Sequence, residues 1–160
     1  MRLKSLKVSP NNSFVAAEIS TSLIFIYSIK GEVISFVGKK SNYLRGYDFT
    51  KDSNYIILVY RDSIITSWDI TNGENVNILE KLNKPINNSA ISKDRTTLFV
   101  LTNRGELCFM KIANGTYYKI ENISQSNKTK FLVNYNDKLV FTSKNKIYFY
   151  DTTEKLSFFV

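Results

Sequence analysis

Hydrophobic positions along this chain fall into short runs separated by polar turns, the grammar of strands and not of helices. The stretch from Asp52 to Gly73 shows the unit clearly. A polar turn at Asp52-Ser53-Asn54 leads into a strand over Tyr55–Tyr60. A second turn at Arg61-Asp62-Ser63 leads into a strand over Ile64–Asp69, and a third turn follows at Thr71-Asn72-Gly73. Asn-Gly at 72–73, and again at 114–115, predicts hairpins with type I′ turns, which need φ > 0 at both central residues. Ile56–Tyr60 and Leu98–Leu101 are continuously apolar and do not alternate. Strands read that way when both faces of their sheet are covered.

The same grammar recurs four times. Tyr27-Ser28, Trp68-Asp69, Met110-Lys111 and Tyr150-Asp151 each close a strand with a large residue followed by a polar one, at spacings of 41, 42 and 40 residues. At an offset of 42, Asp52 falls on Asp94, Ile56 on Leu98, Ile70 on Ile112 and Gly73 on Gly115; at 41, Asn11 falls on Asp52 and Val15 on Ile56. Chance would not keep that register along the chain. Four short strands per unit, stacked so that neighbours cover each sheet, describe a propeller blade. The expected blades are 3–40, 41–82, 83–122 and 123–160, within one all-β propeller domain or subdomain spanning 1–160.

Val8-Ser9-Pro10-Asn11-Asn12-Ser13-Phe14-Val15 resembles the V-x-F-S-P-D-G-x-x-L opening of a WD40 repeat, and Trp68-Asp69 is that family's eponymous dipeptide. Asp62, six residues before Trp68, stands where the family places its turn aspartate. The resemblance covers the whole chain and implies a WD40-like propeller of four four-stranded antiparallel blades; a quinoprotein-like or other non-WD propeller is the alternative. The pattern also departs from the family. No Gly-His pair precedes any inner strand, because the chain has no His, and Thr21, Arg104 and Lys144 replace the turn aspartate elsewhere. The family's Asp-His-Ser-Trp hydrogen-bond network is therefore expected to be missing, with cohesion coming from apolar packing. Propellers span about four to eight blades, and the resemblance implies closure near seven, hence a partial ring. It would be completed by more propeller in the same polypeptide or by a second chain, possibly another copy; closure as a four-blade ring is the third option.

Composition narrows the chemistry. The chain's 43% hydrophobic and 14% aromatic content excludes a disordered chain. The absence of His removes His-based triads and His-ligated metals, and the single Cys removes disulfides and Cys₂ zinc sites. The net charge of +8 divides into +4, −2, +3 and +3 over the four units, and 17 of the 22 basic residues are Lys. That spread fits solvated edges and turns, where Lys discourages edge pairing; the sharper alternative is a basic face for RNA. No apolar run approaches the roughly 18 residues of a membrane helix, and no apolar stretch follows the basic start as in a secretion signal. A cytoplasmic or nuclear location is expected.

Candidate chemistry is sparse. Gly38-Lys39-Lys40-Ser41 fails as a phosphate loop because Val33 stands at the first Gly position and Lys40 at the hydroxyl position. Asp48, Asp52, Asp62 and Asp69 match no calcium loop. No enzymatic activity, cofactor, metal or small-molecule substrate is expected. Tyr27, Asp62, Trp68, Asp69, Met110, Tyr150 and Asp151 form the structural repeat signature. Cys108, within Leu107-Cys108-Phe109-Met110, reads as a small packed residue. The resemblance implies a rigid platform for protein partners, docking on the face formed by the loops entering inner strands and the turns between second and third strands. Tyr43, Arg61, Arg104 and Lys144 are the candidate rim residues on that face. The alternative function is an RNA-associated subunit of the ribosome-biogenesis type.

Overall fold

A computed structural model describes residues 2–19, 22–39, 43–122, 130–135, 138–143, 146–151 and 157–159, which contain strands and turns but no helix. Among them, no helix is long and apolar enough to cross a membrane. The chain divides into two compact units, Met1–Lys81 and Leu82–Val160.

The first unit holds two four-stranded antiparallel meanders. One is β1 (Leu3–Val8), β2 (Phe14–Ile19), β3 (Ile24–Ser28) and β4 (Val33–Val37); the other is β5 (Leu44–Phe49), β6 (Tyr55–Tyr60), β7 (Ile64–Asp69) and β8 (Asn75–Lys81). The second unit repeats the plan. Its sheets are β9 (Ile86–Ile91), β10 (Thr97–Thr102), β11 (Glu106–Lys111) and β12 (Tyr117–Asn122), then β13 (Lys130–Tyr135), β14 (Lys138–Ser143), β15 (Lys146–Asp151) and β16 (Ser157–Phe159). Each sheet keeps sequence order, as consecutive hairpins dictate.

One first-to-second-strand turn is built three times with the same bonds. The hydroxyls of Ser9, Thr50 and Ser92 donate to the Oδ1 atoms of Asn11, Asp52 and Asp94 at 2.7, 2.5 and 2.6 Å. Those oxygens also accept the backbone N–H of Ser13, Asn54 and Thr96 at 3.0, 3.2 and 3.1 Å. The next residue, Asn12, Ser53 or Arg95, takes φ of 57°, 61° or 60°, where the WD40 opening carries Gly. The Asp52 carboxyl is partly desolvated, which pushes its pKa up, but the Thr50 hydroxyl and Asn54 N–H donors outweigh this and hold it below its usual value.

The second-to-third-strand turns show the same equivalence with a change of residue. Ser22, Ser63 and Gly105 have φ of 61°, 75° and 79°. A left-handed backbone costs a non-Gly residue about 1–2 kcal/mol, partly offset by the freedom Gly gives the unfolded chain. Ser63→Gly is therefore expected to stabilise the protein by about 0.5–1 kcal/mol. A lowered urea midpoint would show that the two turns are not equivalent.

The hairpins at the two Asn-Gly pairs form, but not as type I′ turns. Only Gly73 and Gly115 take positive φ, at 72° and 69°; Asn72 and Asn114 do not. The reason is loop length. Asp69 N–H donates to Glu74 O at 3.0 Å and Gly73 N–H to Asp69 O at 3.1 Å, so residues 70–73 all lie in the loop, which a two-residue type I′ turn cannot accommodate. Asp69 Oδ1 holds that loop by accepting from Thr71 N–H at 2.8 Å and Thr71 Oγ1 at 2.6 Å. The Thr71 hydroxyl and N–H hold the Asp69 carboxyl below its usual pKa.

Packing in the first unit joins its two sheets. Ala16, Ile24, Ile26 and Val37 from β1–β4 meet Tyr47, Phe49, Ile56, Leu58, Tyr60, Trp68 and Ile70 from the second sheet and its turn. Each large side chain so buried contributes about 1.5–3 kcal/mol, against roughly 1 kcal/mol for a typical hydrogen bond. Apolar packing thus dominates this seam. In the second unit Phe99, Leu101, Leu107 and Phe109 pack with Leu139, Phe141 and Tyr150. Ile56–Tyr60 and Leu98–Leu101 are buried at every position, so side chains on both faces of β6 and β10 are out of water, in keeping with their unbroken apolar runs.

Polar links reinforce the first seam, so its cohesion is not the apolar packing alone that the missing His leads one to expect. The Ser5 and Tyr47 hydroxyls bond at 2.9 Å, and Lys7 Nζ pairs with Asp48 Oδ2 at 2.5 Å while lying 5.6 Å from the Tyr47 ring centroid. Burial pushes the Tyr47 hydroxyl pKa up, with the Ser5 bond opposing it. Ser35 Oγ donates to Ile70 O at 2.5 Å, and Asn11 N–H donates to Ser53 Oγ at 3.2 Å.

Candidate interaction rim

The turn between second and third strands is tied to the residue that leads into the first strand of the same sheet. In the first unit Arg61 N–H donates to Tyr43 O at 2.8 Å; in the second, Asn103 N–H donates to Pro85 O at 2.8 Å. Both members of these pairs are related by 42 residues, so the same corner is built twice. The positive φ of Ser63 and Gly105 turns the chain there and leaves the preceding side chains in solvent. Tyr43 is 71% exposed, and Arg61 and Asp62 beside it are exposed. The first corner therefore presents an aromatic ring, a guanidinium and a carboxylate from a backbone held by a hydrogen bond.

The second corner offers different chemistry. Arg104 is exposed at the position of Asp62, and Pro85 occupies the position of Tyr43. Lys84, next to Pro85, pairs with Glu106 at the start of β11, and Glu106 N–H donates to Thr102 Oγ1 at 3.2 Å. Lys144 and Thr21 lie outside the described residues.

The repeat-signature residues sit in four different environments. Trp68 lies in the first-unit core, 9% exposed, and its Nε1–H donates to Thr66 Oγ1 at 2.8 Å. The indole N–H is thus satisfied within its own strand, by a residue two positions away. An i−2 hydroxyl lies on the same face of a strand as the Trp, so the Thr66–Trp68 spacing is the sequence signal for this bond. Met110 is fully buried in β11. Tyr150 packs on Phe109 with ring centroids 6.1 Å apart. Tyr27 differs, being half-buried on the face of its sheet turned away from the core and stacked on Phe25 at 6.4 Å. Asp151 is the last residue of β15.

Buried reactive groups are few. Burial pushes the Cys108 thiol up to about 11, with Glu106 adding to the rise and Lys84 opposing it, so it stays protonated and unreactive near neutrality. The Tyr60 hydroxyl is buried near Gly38 without a hydrogen bond of good geometry. Burial pushes its pKa up to about 12, against weaker pulls from the Lys39 backbone and Thr66. Among the described residues no cluster of three His, Cys, Asp or Glu is placed to hold a metal ion.

No protein-family model matches the chain, and no curated protein matches it in sequence. Solved structures do match in fold. One titled "Structure of U3-55K" has a TM-score of 0.80 at 12% identity, covering 98% of this chain and 51% of its own. Another, titled "Crystal structure of RRP9 WD40 repeats", has a TM-score of 0.80 at 13% identity, covering 98% of this chain and 50% of its own. The chain spans about half the length of these structures. With its four antiparallel four-stranded sheets, the chain has the fold of a partial WD40-type propeller.

Proposed function

We propose that the protein is a non-catalytic scaffold that binds protein partners within a larger assembly, and that the Tyr43–Arg61 corner is a principal contact. The observation carrying this reading is the hydrogen bond from Arg61 N–H to Tyr43 O. It fixes an exposed aromatic and an exposed guanidinium side by side on a sheet edge. Tyr and Arg are the residue types that dominate interface energetics, because each offers large contact area and directed hydrogen bonding at modest entropic cost. Arg104 and Lys144 are proposed as further contacts by their equivalent places in the repeat. A cytoplasmic or nuclear location is part of this proposal.

Binding of RNA is the second reading, favoured by the net charge of +8. Three of the lysines are engaged elsewhere: Lys4 with Glu18, Lys7 with Asp48 and Lys84 with Glu106. The Tyr43 corner itself includes Asp62, a carboxylate that repels phosphate. Protein recognition therefore accounts for the corner better.

A photo-crosslinking residue at position 43 of the full chain, used in cells, tests this. The expected result is a discrete protein adduct that falls about tenfold in the Arg61→Ala background, the loss of one interface hot spot. Adducts to RNA alone, or a protein adduct indifferent to Arg61, would overturn the reading.

A further inference from the structure

We infer that the Tyr43–Arg61 corner takes an acidic protein segment, with Arg45 as a further anchor for its carboxylates. This rests on the scaffold reading and adds the chemistry of the partner. Strand register sets Arg45 apart. Leu44 pairs with Tyr60 and Gly46 with Val59, so Arg45 is the extra residue of a β-bulge near the start of β5. A bulge leaves its extra residue outside the ladder and re-aims the side chain. Arg45 is exposed there, opposite the last residues of β6.

The repeat shows what is particular about this residue. The same bulge recurs in β1, β9 and β13, where the extra residue is Lys4, Asn87 or Phe131. Lys4 pairs with Glu18, and Asn87 and Phe131 carry no charge. Arg45 alone brings to this position a cation that no carboxylate holds among the described residues.

Two further cations stand at the same end of the second sheet. Arg61 follows Tyr60 directly and is tied through its N–H to Tyr43 O. Lys39 is brought there by its neighbour Gly38, since a Cβ on Gly38 would lie 2.8 Å from Ser22 O and 3.4 Å from the Tyr60 hydroxyl. Leu44 N–H donates to the Oγ of the same Ser22 at 3.4 Å. Lys39, Arg45 and Arg61 are all exposed, and none of them pairs with a carboxylate among the described residues. Against these cations the corner sets one exposed carboxylate, Asp62. A chain rich in carboxylates is the complement. Guanidinium groups hold carboxylates through two parallel N–H···O bonds, and the Tyr43 ring offers contact for the apolar stems between them. Asp62 favours a peptide over RNA, because a peptide main chain carries N–H donors between its carboxylates and a phosphodiester backbone carries none.

Fluorescence anisotropy on the full chain tests the inference, with a labelled peptide of alternating Glu and Ser as the probe. The peptide is expected to bind, and to weaken at least about fivefold as salt rises from about 50 to about 200 mM. Its counterpart with Gln in place of Glu should not bind. Arg45→Gln is expected to weaken binding at least about fivefold without changing the circular dichroism spectrum, because Arg45 is already exposed. Lys30→Gln removes the same charge from the exposed turn between β3 and β4 and should leave binding unchanged. No binding, equal binding of the Gln peptide, equal losses in the two variants, or tighter binding of poly-uridylate of the same length would overturn the inference. Arg45 has no part in the crosslinking experiment. Failure here beside an Arg61-dependent protein adduct there would remove the acidic partner and leave the scaffold reading standing.

Discussion

Trp68→Ala is expected to cost about 3–5 kcal/mol, the range for emptying an aromatic site in a packed core. Trp68 is 9% exposed and sits among Phe49, Ile56, Leu58 and Ile70 on one side of the first seam, facing Ala16, Ile24 and Ile26 on the other. The substitution also strips the Nε1–H donor from Thr66 Oγ1, a group on a residue 1% exposed. At roughly 0.05–0.15 kcal/mol per residue of total stability, the first unit, Met1–Lys81, holds about 4–12 kcal/mol, so a loss of that size takes a large share of it. Trp68→Phe keeps an aromatic ring and loses the hydrogen bond, so it should cost no more than about 1–2 kcal/mol. Urea melts of the two variants read the difference. Equal, small losses would mean that Trp68 is peripheral to the seam.

Gly73→Ala is the second large effect, expected at about 2–5 kcal/mol. The left-handed backbone alone costs an Ala roughly 1–2 kcal/mol, since φ at Gly73 is 72°. The remainder is steric: a Cβ there would lie 2.6 Å from Phe36 O, a backbone atom of β4 in the adjacent sheet. Overlap of that kind adds about 1–3 kcal/mol. Gly31 is the internal control. It occupies the equivalent turn with φ of 88°, but a Cβ there meets nothing within 4 Å. Gly31→Ala should therefore cost only the backbone share, about 1–2 kcal/mol. Thermal or urea unfolding of both variants decides the matter; equal losses would remove the seam from the explanation.

These two residues also mark what could be read from the chain before its fold was known. The repeat was legible, because alternating polar turns and apolar runs recur at offsets of 41 and 42 and because strands follow directly from that rhythm. Trp68 and Gly73 were both visible as repeat positions. Their energetic roles were not, since those depend on how one sheet rests on the next. The Ser5–Tyr47 and Asn11–Ser53 bonds each join residues 42 positions apart, and no local pattern announces such a pair. The hairpin error has the same origin. Asn-Gly signals a tight turn, but Asp69 capping Thr71 sets a four-residue loop, and Asn72 keeps an ordinary φ.

The candidate rim was legible only by analogy. Tyr43 and Arg61 are 18 positions apart and share no motif. The Arg61 N–H to Tyr43 O bond makes them neighbours, through the positive φ of Ser63. Sequence could locate the turn at Arg61-Asp62-Ser63, but not the carbonyl it reaches.

The two sheets of the first unit act as a single rigid body through apolar face-on-face packing, and this rigidity holds the rim corner in place. Native-state amide hydrogen exchange on Trp68→Ala tests it most directly. Protection is expected to fall in β2 and β3 as well as in β6 and β7, and at the Arg61 amide that binds Tyr43 O. Protection lost in β6 and β7 while β2, β3 and Arg61 keep theirs would contradict it.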